Sequence, residues 1–147
     1  MISEKKFENI LKTKKFLEDN SAIVLPNKGG KIKRYIRSLS GKDGFILNIE
    51  RGKIKLSKVK YQTRSKITND ILLRVDTNGP RHQNPDGEFI NCPHIHIYKE
   101  GYGDKWAYKL DNNIFKDDSN LAQLLRDFLN YFNIESIPNI IYSESLI

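Results

Sequence analysis

Residues 70–76, Asp-Ile-Leu-Leu-Arg-Val-Asp, and residues 94–98, His-Ile-His-Ile-Tyr, carry the alternation on which the predicted fold rests. Apolar side chains recur at every second position, so each extended segment has one apolar and one polar face. Further strand-length runs, separated by turn residues, are found at 22–25, 31–39, 45–50, 53–62 and 106–110. The pattern predicts a curved antiparallel sheet of about six or seven strands.

Two other stretches have the 3.6-residue spacing of amphipathic helices. The first covers residues 4–19 with Ser3 as its N-cap, and the second is capped by Asp118 or Ser119 and ends near Asn133. We therefore predict a single α+β domain over residues 1–147, with the N-terminal and C-terminal helices packed on the apolar face of the sheet. The apolar tail residues, Ile147 included, are expected to pack on this body.

Length and composition exclude several classes of protein. The chain has 147 residues, of which 38% are hydrophobic and 29% charged, as in ordinary globular domains. Its longest apolar runs fall far short of the roughly 20 residues that span a bilayer, and its N-terminus lacks the apolar region of a signal peptide. We therefore expect a cytoplasmic protein without a membrane partner. A single cysteine, Cys92, excludes an internal disulfide.

Charge is distributed unevenly along the chain. Residues 1–68 contain 18 Lys and Arg against 6 Asp and Glu, whereas residues 69–147 contain 7 against 12. Such basic density favours contacts with nucleic-acid phosphates, with RNA as the expected partner, although a solvated lysine-rich surface would look the same. The predicted phosphate contacts are Lys33, Arg34, Arg37, Lys53, Lys55, Lys58, Lys60 and Arg64.

The three histidines lie within fifteen residues of one another. In residues 94–98 the apolar side chains are Ile95 and Ile97, so both imidazoles lie on the polar face. A regular two-residue hairpin centred on Pro85 and Asp86 would place that polar face against the core. One bulged residue between the two strands shifts the register, so that the apolar side chains of both strands face the core together. We then expect Arg74, Asp76, His94 and His96 to share the polar face, with His82 near its rim.

Two chemistries fit this cluster. In metal-independent RNA cleavage, one histidine takes the 2′-hydroxyl proton, another protonates the leaving oxygen, and Arg74 or a lysine stabilises the charged transition state while Asp76 orients an imidazole. No cofactor is then needed. The alternative is a zinc or iron site in which His94 and His96 are joined by His82 or Asp76. A third interpretation is a polar face of hydrogen-bonded histidines without chemistry.

Several short motifs accompany the cluster: Arg74-x-Asp76, Gly79-Pro80-x-His82-x-Asn84-Pro85-Asp86-Gly87, Pro93-His94-x-His96 and Glu100-Gly101-Tyr102-Gly103-Asp104-x-Trp106-Ala107. Together they resemble a family of small uncharacterised proteins, a domain of unknown function, from Gram-positive bacteria and their mobile elements. The resemblance implies an intracellular accessory or conflict-system role. No established activity comes with it.

These observations predict a small cytosolic nucleic-acid-directed protein that binds RNA or cleaves it as a toxin-like enzyme, with an antitoxin-like protein as a further partner. One alternative is a non-catalytic interaction module of a phage or mobile element that blocks a host or defence complex. The other alternative is a metal-dependent enzyme that acts on a small molecule.

Overall fold

The computed structural model describes residues 1–142; residues 143–147, including Ile147 and its expected packing, lie outside the described part. The elements in chain order are α1 (Glu4–Lys12), β1 (Lys15–Leu17), β2 (Ile23–Val24), β3 (Lys31–Ser38), β4 (Gly44–Arg51), β5 (Val59–Ser65), β6 (Ile71–Asp76), β7 (His82–Gln83), β8 (Phe89–Ile90), β9 (His94–Ile97), β10 (Ala107–Lys109), α2 (Leu121–Tyr131) and β11 (Ile140–Ile141).

A seven-stranded sheet forms the centre of the molecule, in the order β1-β3-β4-β5-β6-β9-β10. All of its neighbouring strands are antiparallel. The predicted antiparallel sheet of six or seven strands, combined with two amphipathic helices, is therefore confirmed. In the tail, β11 pairs in parallel with β2, which ties residues 140–141 to the body as expected.

One face of the sheet carries the hydrophobic core. Tyr61 of β5 and Phe45 of β4 are buried there and contact Phe128 and Phe132 from the α2 region, with ring centroids 6.2 and 5.3 Å apart. Helix α1 packs on the same core through Phe7. The alternating strand residues that point away from the helices form the opposite face, hereafter the open face.

The first helix is shorter than predicted. It begins after the Ser3 cap, whose hydroxyl accepts a hydrogen bond from the Lys6 amide, but it ends at Lys12 rather than near residue 19. Thr13 adopts an extended conformation and its hydroxyl donates to the Asn9 carbonyl at 2.7 Å. Lys15–Leu17 then pair with β3 as an edge strand, so this part of the predicted helix is extended instead.

The second helix has a different cap from the two predicted. The Asn120 side chain accepts a hydrogen bond from the Gln123 amide at 3.0 Å, so Asn120 takes the position assigned to Asp118 or Ser119. Asp117 instead accepts hydrogen bonds from both the amide and the hydroxyl of Ser119 in the preceding turn.

Within the part of the chain that the structure describes, no helix is long and apolar enough to span a membrane.

The predicted strand over residues 53–62 is wrong in its first half. Residues 52–58 form the loop that connects β4 to β5, because the Gly52 amide bonds to the Lys58 carbonyl at 2.7 Å and closes the hairpin. Ile54 is 88% exposed, so the apolar alternation there has no partner surface. A side chain at Gly52 would clash with the Lys55 carbonyl, since a Cβ atom would lie 2.7 Å from it.

The register between β6 and β9 is the one predicted with one extra residue between the two strands, not that of a regular two-residue hairpin. Leu73 pairs with Ile97 and Val75 with Ile95, so the apolar side chains of both strands face the core. The connection between them is not one simple hairpin, since it contains β7 and β8, which pair with each other around residues 84–87.

Lys15 is a charged side chain that is completely buried, with 0% of it exposed, on the helix-covered side of the sheet. Its Nζ donates to the carbonyls of Thr13 and Phe132, at 2.8 and 2.7 Å, and lies 4.2 Å from the centroid of the Phe132 ring. Burial lowers the pKa of this amine from 10.5 to about 7. The residue therefore ties the end of α2 to the edge of the sheet at an electrostatic cost.

We predict that this cost makes the free energy of unfolding increase as the pH is raised above 7. Between pH 7 and 10.5 the unfolded chain keeps the Lys15 proton while the native chain releases it, so the free energy of unfolding rises with pH. Relative to Lys15→Met, the wild type should gain up to about 1.4 kcal/mol per pH unit in this window. Chemical denaturation between pH 6 and 10 measures the difference. A difference that stays constant over this range contradicts the prediction.

Candidate functional site

Strands β6 and β9 place four polar side chains next to one another on the open face. Arg74 pairs directly with His96, and Asp76 pairs with His94. Because paired residues of antiparallel strands point to the same face, the four side chains converge, in the arrangement that the sequence predicts. Both histidines are buried, with 2% of His94 and 1% of His96 exposed.

Backbone carbonyls determine which ring nitrogen of each histidine carries a hydrogen. His96 Nδ1 lies 2.8 Å from the Asp104 carbonyl, and His94 Nδ1 lies 3.2 Å from the Ile90 carbonyl. Since a carbonyl oxygen only accepts, each Nδ1 is assigned as the donor. The two Nε2 atoms therefore point into the cluster, where they are 3.2 Å apart.

The Asp76 carboxylate completes this group of converging atoms. Its Oδ2 lies 3.5 Å from His94 Nε2, 3.3 Å from His96 Nε2 and 3.0 Å from Arg74 Nε. Burial raises the pKa of Asp76, but its contacts with the imidazoles of His94 and His96 and the charge of Arg74 outweigh it, so the net pKa lies well below its usual 3.8. Asp76 is therefore an anion at neutral pH.

Arg74 links this cluster to the turn before β10. Its Nη1 donates to Asp104 Oδ2 at 2.8 Å, while its Nη2 lies 2.9 Å from His96 Nε2. Asp104 thus contacts the cluster twice, through its carboxylate and its carbonyl. Sequence reasoning missed this residue as a site residue because strand parity does not extend into the turn, although Asp104 stands in the Gly101–Asp104 motif.

His82 and Cys92 lie beside the cluster but contribute none of its converging atoms. The His82 ring packs against His96 at 4.6 Å between centroids, and its Nε2 donates to the Lys105 carbonyl at 2.6 Å. That nitrogen is therefore turned away from the group formed by Asp76, His94 and His96. Of the two third ligands predicted for a metal site, Asp76 rather than His82 has an atom close to both histidine Nε2 atoms. Burial raises the pKa of the Cys92 thiol, which disfavours a thiolate nucleophile.

A pocket of about 340 Å³ opens over the cluster. Besides the cluster residues, it is lined by Lys58 and Lys60 and by Arg81, whose guanidinium lies 3.8 Å from the centroid of the Phe89 ring. Neither lysine has a carboxylate within 4.0 Å in residues 1–142. The pocket therefore has cations available to an anionic ligand.

The residues predicted to contact phosphate are divided between three places. Lys33, Arg37, Lys60 and Arg64 alternate onto the open face, and Lys53, Lys55 and Lys58 lie in the 52–58 loop. Arg34 points to the helix side and donates to three backbone carbonyls, so its predicted role in phosphate contact is not supported.

Two of the remaining arginines on the open face already have partners. Arg37 forms an ion pair with Glu18, and Arg64 donates to the side chains of Asn48 and Asn69. The lysines are the less engaged cations. Lys58 also lines a second pocket of about 390 Å³ together with Lys53 and Lys55, next to the first. The functional roles of all these residues stay predictions.

Comparison with known proteins gives one result. The model of a family of unknown function, DUF6978, matches residues 2–134, which include both helices and the whole seven-stranded sheet. No curated protein and no solved structure matches the chain. An uncharacterised family was expected from the motifs around the histidines, and that expectation is confirmed; its Gram-positive origin stays a prediction. The chain belongs to the family of unknown function DUF6978.

Proposed function

We propose that the protein binds single-stranded RNA across the open face of its sheet, with one phosphate in the pocket above His94 and His96. The observation that carries the proposal is the charge of that pocket. It is lined by four cationic side chains and one carboxylate, namely Lys58, Lys60, Arg74, Arg81 and Asp76. Such an excess of cations suits a phosphate, whose binding is dominated by electrostatic attraction.

The rest of the open face extends this basic surface beyond the pocket. Strand pairing aligns Lys33, Asn48, Gln62, Arg74 and His96 in one row across the sheet. With neighbouring strands about 4.8 Å apart, Lys33 lies roughly 14 Å from Arg74 along this row. A nucleic-acid strand that follows the row would meet polar and basic side chains over several nucleotides.

An exposed tyrosine on the same face supports an unpaired strand as the ligand. Tyr35 alternates with Lys33 and Arg37 along β3, and 41% of it is exposed. The Nζ atoms of Lys33 and Lys66 lie 6.0 and 5.1 Å from the centroid of its ring. An aromatic ring flanked by cations is a stacking platform for a single base, which a duplex keeps inside its stack.

The histidine geometry gives less support to metal-independent cleavage. In an in-line displacement the attacking and leaving oxygens lie on opposite sides of phosphorus, so the base and the acid approach from opposite sides. Here the two Nε2 atoms are 3.2 Å apart and point toward each other. The proposal is therefore RNA binding, and the expected protein partner stays a prediction.

Removing the pocket lysines should weaken RNA binding in a salt-dependent way. We expect Lys58→Gln/Lys60→Gln to lower the slope of log K against log salt by about 1.4, since each phosphate contact on a single strand contributes about 0.7. This corresponds to roughly 25-fold weaker binding at 0.1 M salt and little change at 1 M. Fluorescence anisotropy with a labelled, mixed-sequence single-stranded oligoribonucleotide measures both quantities.

A matched pair of lysines on the helix side provides the control. Lys5→Gln/Lys12→Gln removes the same charge from exposed positions of α1 and should leave the slope within about 0.3 of the wild type. An equal loss of RNA affinity in the two double variants would mean that RNA binding depends on the net charge of the protein and not on the pocket. Failure of the wild type to bind RNA at low salt would overturn the proposal and favour the protein-interaction module.

Tyr35 should contribute stacking, and Tyr108 allows a matched comparison. Tyr108 has the same exposure, 42% against 41%, but it pairs with Ile95 and so lies on the helix-covered face. We expect Tyr35→Ala to weaken single-stranded RNA binding by about 1–3 kcal/mol, whereas Tyr108→Ala leaves it unchanged. The same anisotropy titration is repeated with single-stranded DNA and duplex RNA. Preference for the duplex would contradict the stacking role.

A further inference from the structure

We infer that Asp76, His94 and His96 form a binding site for one divalent transition-metal ion, with zinc as the first candidate. This inference goes beyond RNA binding, because it depends on the three side chains and not on the identity of the pocket's ligand. It also replaces the shared role of acid and base that the sequence suggests for the two histidines.

The spacing of the three ligand atoms matches the coordination sphere of zinc. His94 Nε2, His96 Nε2 and Asp76 Oδ2 are separated by 3.2, 3.3 and 3.5 Å. In a tetrahedral site with bonds of about 2.05 Å, two ligand atoms are about 3.3 Å apart. An ion at the centre of the three atoms would therefore reach all of them without movement of the strands.

The remaining ring nitrogens are held as metal ligands require. Metal-binding histidines usually donate their other N–H group to a carbonyl or carboxylate, which fixes the ring orientation and raises the basicity of the ligating nitrogen. Here the carbonyls of Asp104 and Ile90 accept from Nδ1 of His96 and His94, respectively. Both Nε2 lone pairs are thereby aimed at the same point.

The burial of these three side chains favours a bound cation. Two imidazoles with about 2% exposure or less and one carboxylate direct lone pairs at one another, which is unfavourable unless positive charge lies between them. Arg74 supplies part of this charge, through its contacts with His96 and Asp76. A bound ion would take over the contact with His96, while Arg74 keeps its ion pair with Asp104 at 2.8 Å.

The pocket leaves one coordination position accessible. Three protein ligands and an open fourth position are the arrangement of catalytic rather than structural zinc sites. Because His94, His96 and Asp76 line the pocket together with Lys58 and Lys60, a water molecule or an anionic oxygen of the ligand would occupy that position. The donor set of two imidazoles and one carboxylate also suits ferrous iron.

Metal binding by the purified full chain tests the inference. Protein stripped with a chelator is titrated with zinc chloride by calorimetry and with cobalt chloride by visible absorption, which is intense for a four-coordinate cobalt ion. We expect one ion per chain. Asp76→Asn, His94→Gln and His96→Gln should each weaken binding by at least roughly 100-fold, since even loss of an outer-shell partner costs 10–100-fold.

Neighbouring residues supply matched controls. His82→Ala and Cys92→Ser should bind zinc within about threefold of the wild type, because neither side chain belongs to the converging group. Arg74→Met should bind zinc at least as tightly as the wild type, because it removes the cation that competes for His96 Nε2. Zinc should also raise the melting temperature of the wild type and leave that of Asp76→Asn unchanged, which separates lost binding from lost folding.

Two results would overturn the inference: a wild type that binds neither zinc nor cobalt at one ion per chain, or binding that Asp76→Asn and the two histidine variants retain. Should these variants fail to fold, the wild-type cobalt spectrum decides alone, and a six-coordinate or thiolate spectrum counts against the site. RNA binding is measured on the same samples with zinc and with chelator. Loss of RNA binding with intact zinc binding would remove the proposed function and leave the metal site standing.

Discussion

The site depends on the register between β6 and β9. Pairing of Arg74 with His96 and of Asp76 with His94 sends Leu73, Val75 and Ile95 into the core and the polar side chains to the open face. A shift of one residue would exchange the two faces and bury charge against α2. The register that packs the core is thus the same register that assembles the cluster, so stability and the site's geometry are coupled.

Arg74 organises the polar side of that register. Its three nitrogen atoms meet three different acceptors, on Asp76, Asp104 and His96. A planar guanidinium can serve several acceptors at once, whereas the ammonium of a lysine acts as a single point charge. Asp104 in turn accepts from His96 through its backbone, so the turn before β10 determines the orientation of an imidazole on β9.

The basic half of the sequence reaches the histidines through the sheet. Strand β5 belongs to the lysine-rich first half of the chain, and it pairs with β6, so Lys60 lies opposite Asp76. The loop closed by Gly52 brings Lys58 over the same pocket. Cations that are spread along the sequence thereby meet the acidic and imidazole groups of the second half, which gives the pocket its charge.

Features of the fold and the site could be predicted from the sequence where they depend on residues that are close together in the chain. Alternation within β6 and β9, the Ser3 cap and the apolar stripe of α2 depend on residues close together in the chain, so the sheet, the two helices and the shared face of Arg74, Asp76, His94 and His96 could be predicted. The loop at 52–58 could not be predicted, because Ile54 and Leu56 alternate like strand residues and only the absence of a surface to cover them distinguishes this loop from a strand.

Tertiary structure also decided which atoms converge. The carbonyls of Ile90 and Asp104 turn both Nε2 atoms toward Asp76, and the Lys105 carbonyl turns His82 away. Because every residue carries a backbone carbonyl, these contacts leave no signal in the residue types or their spacing.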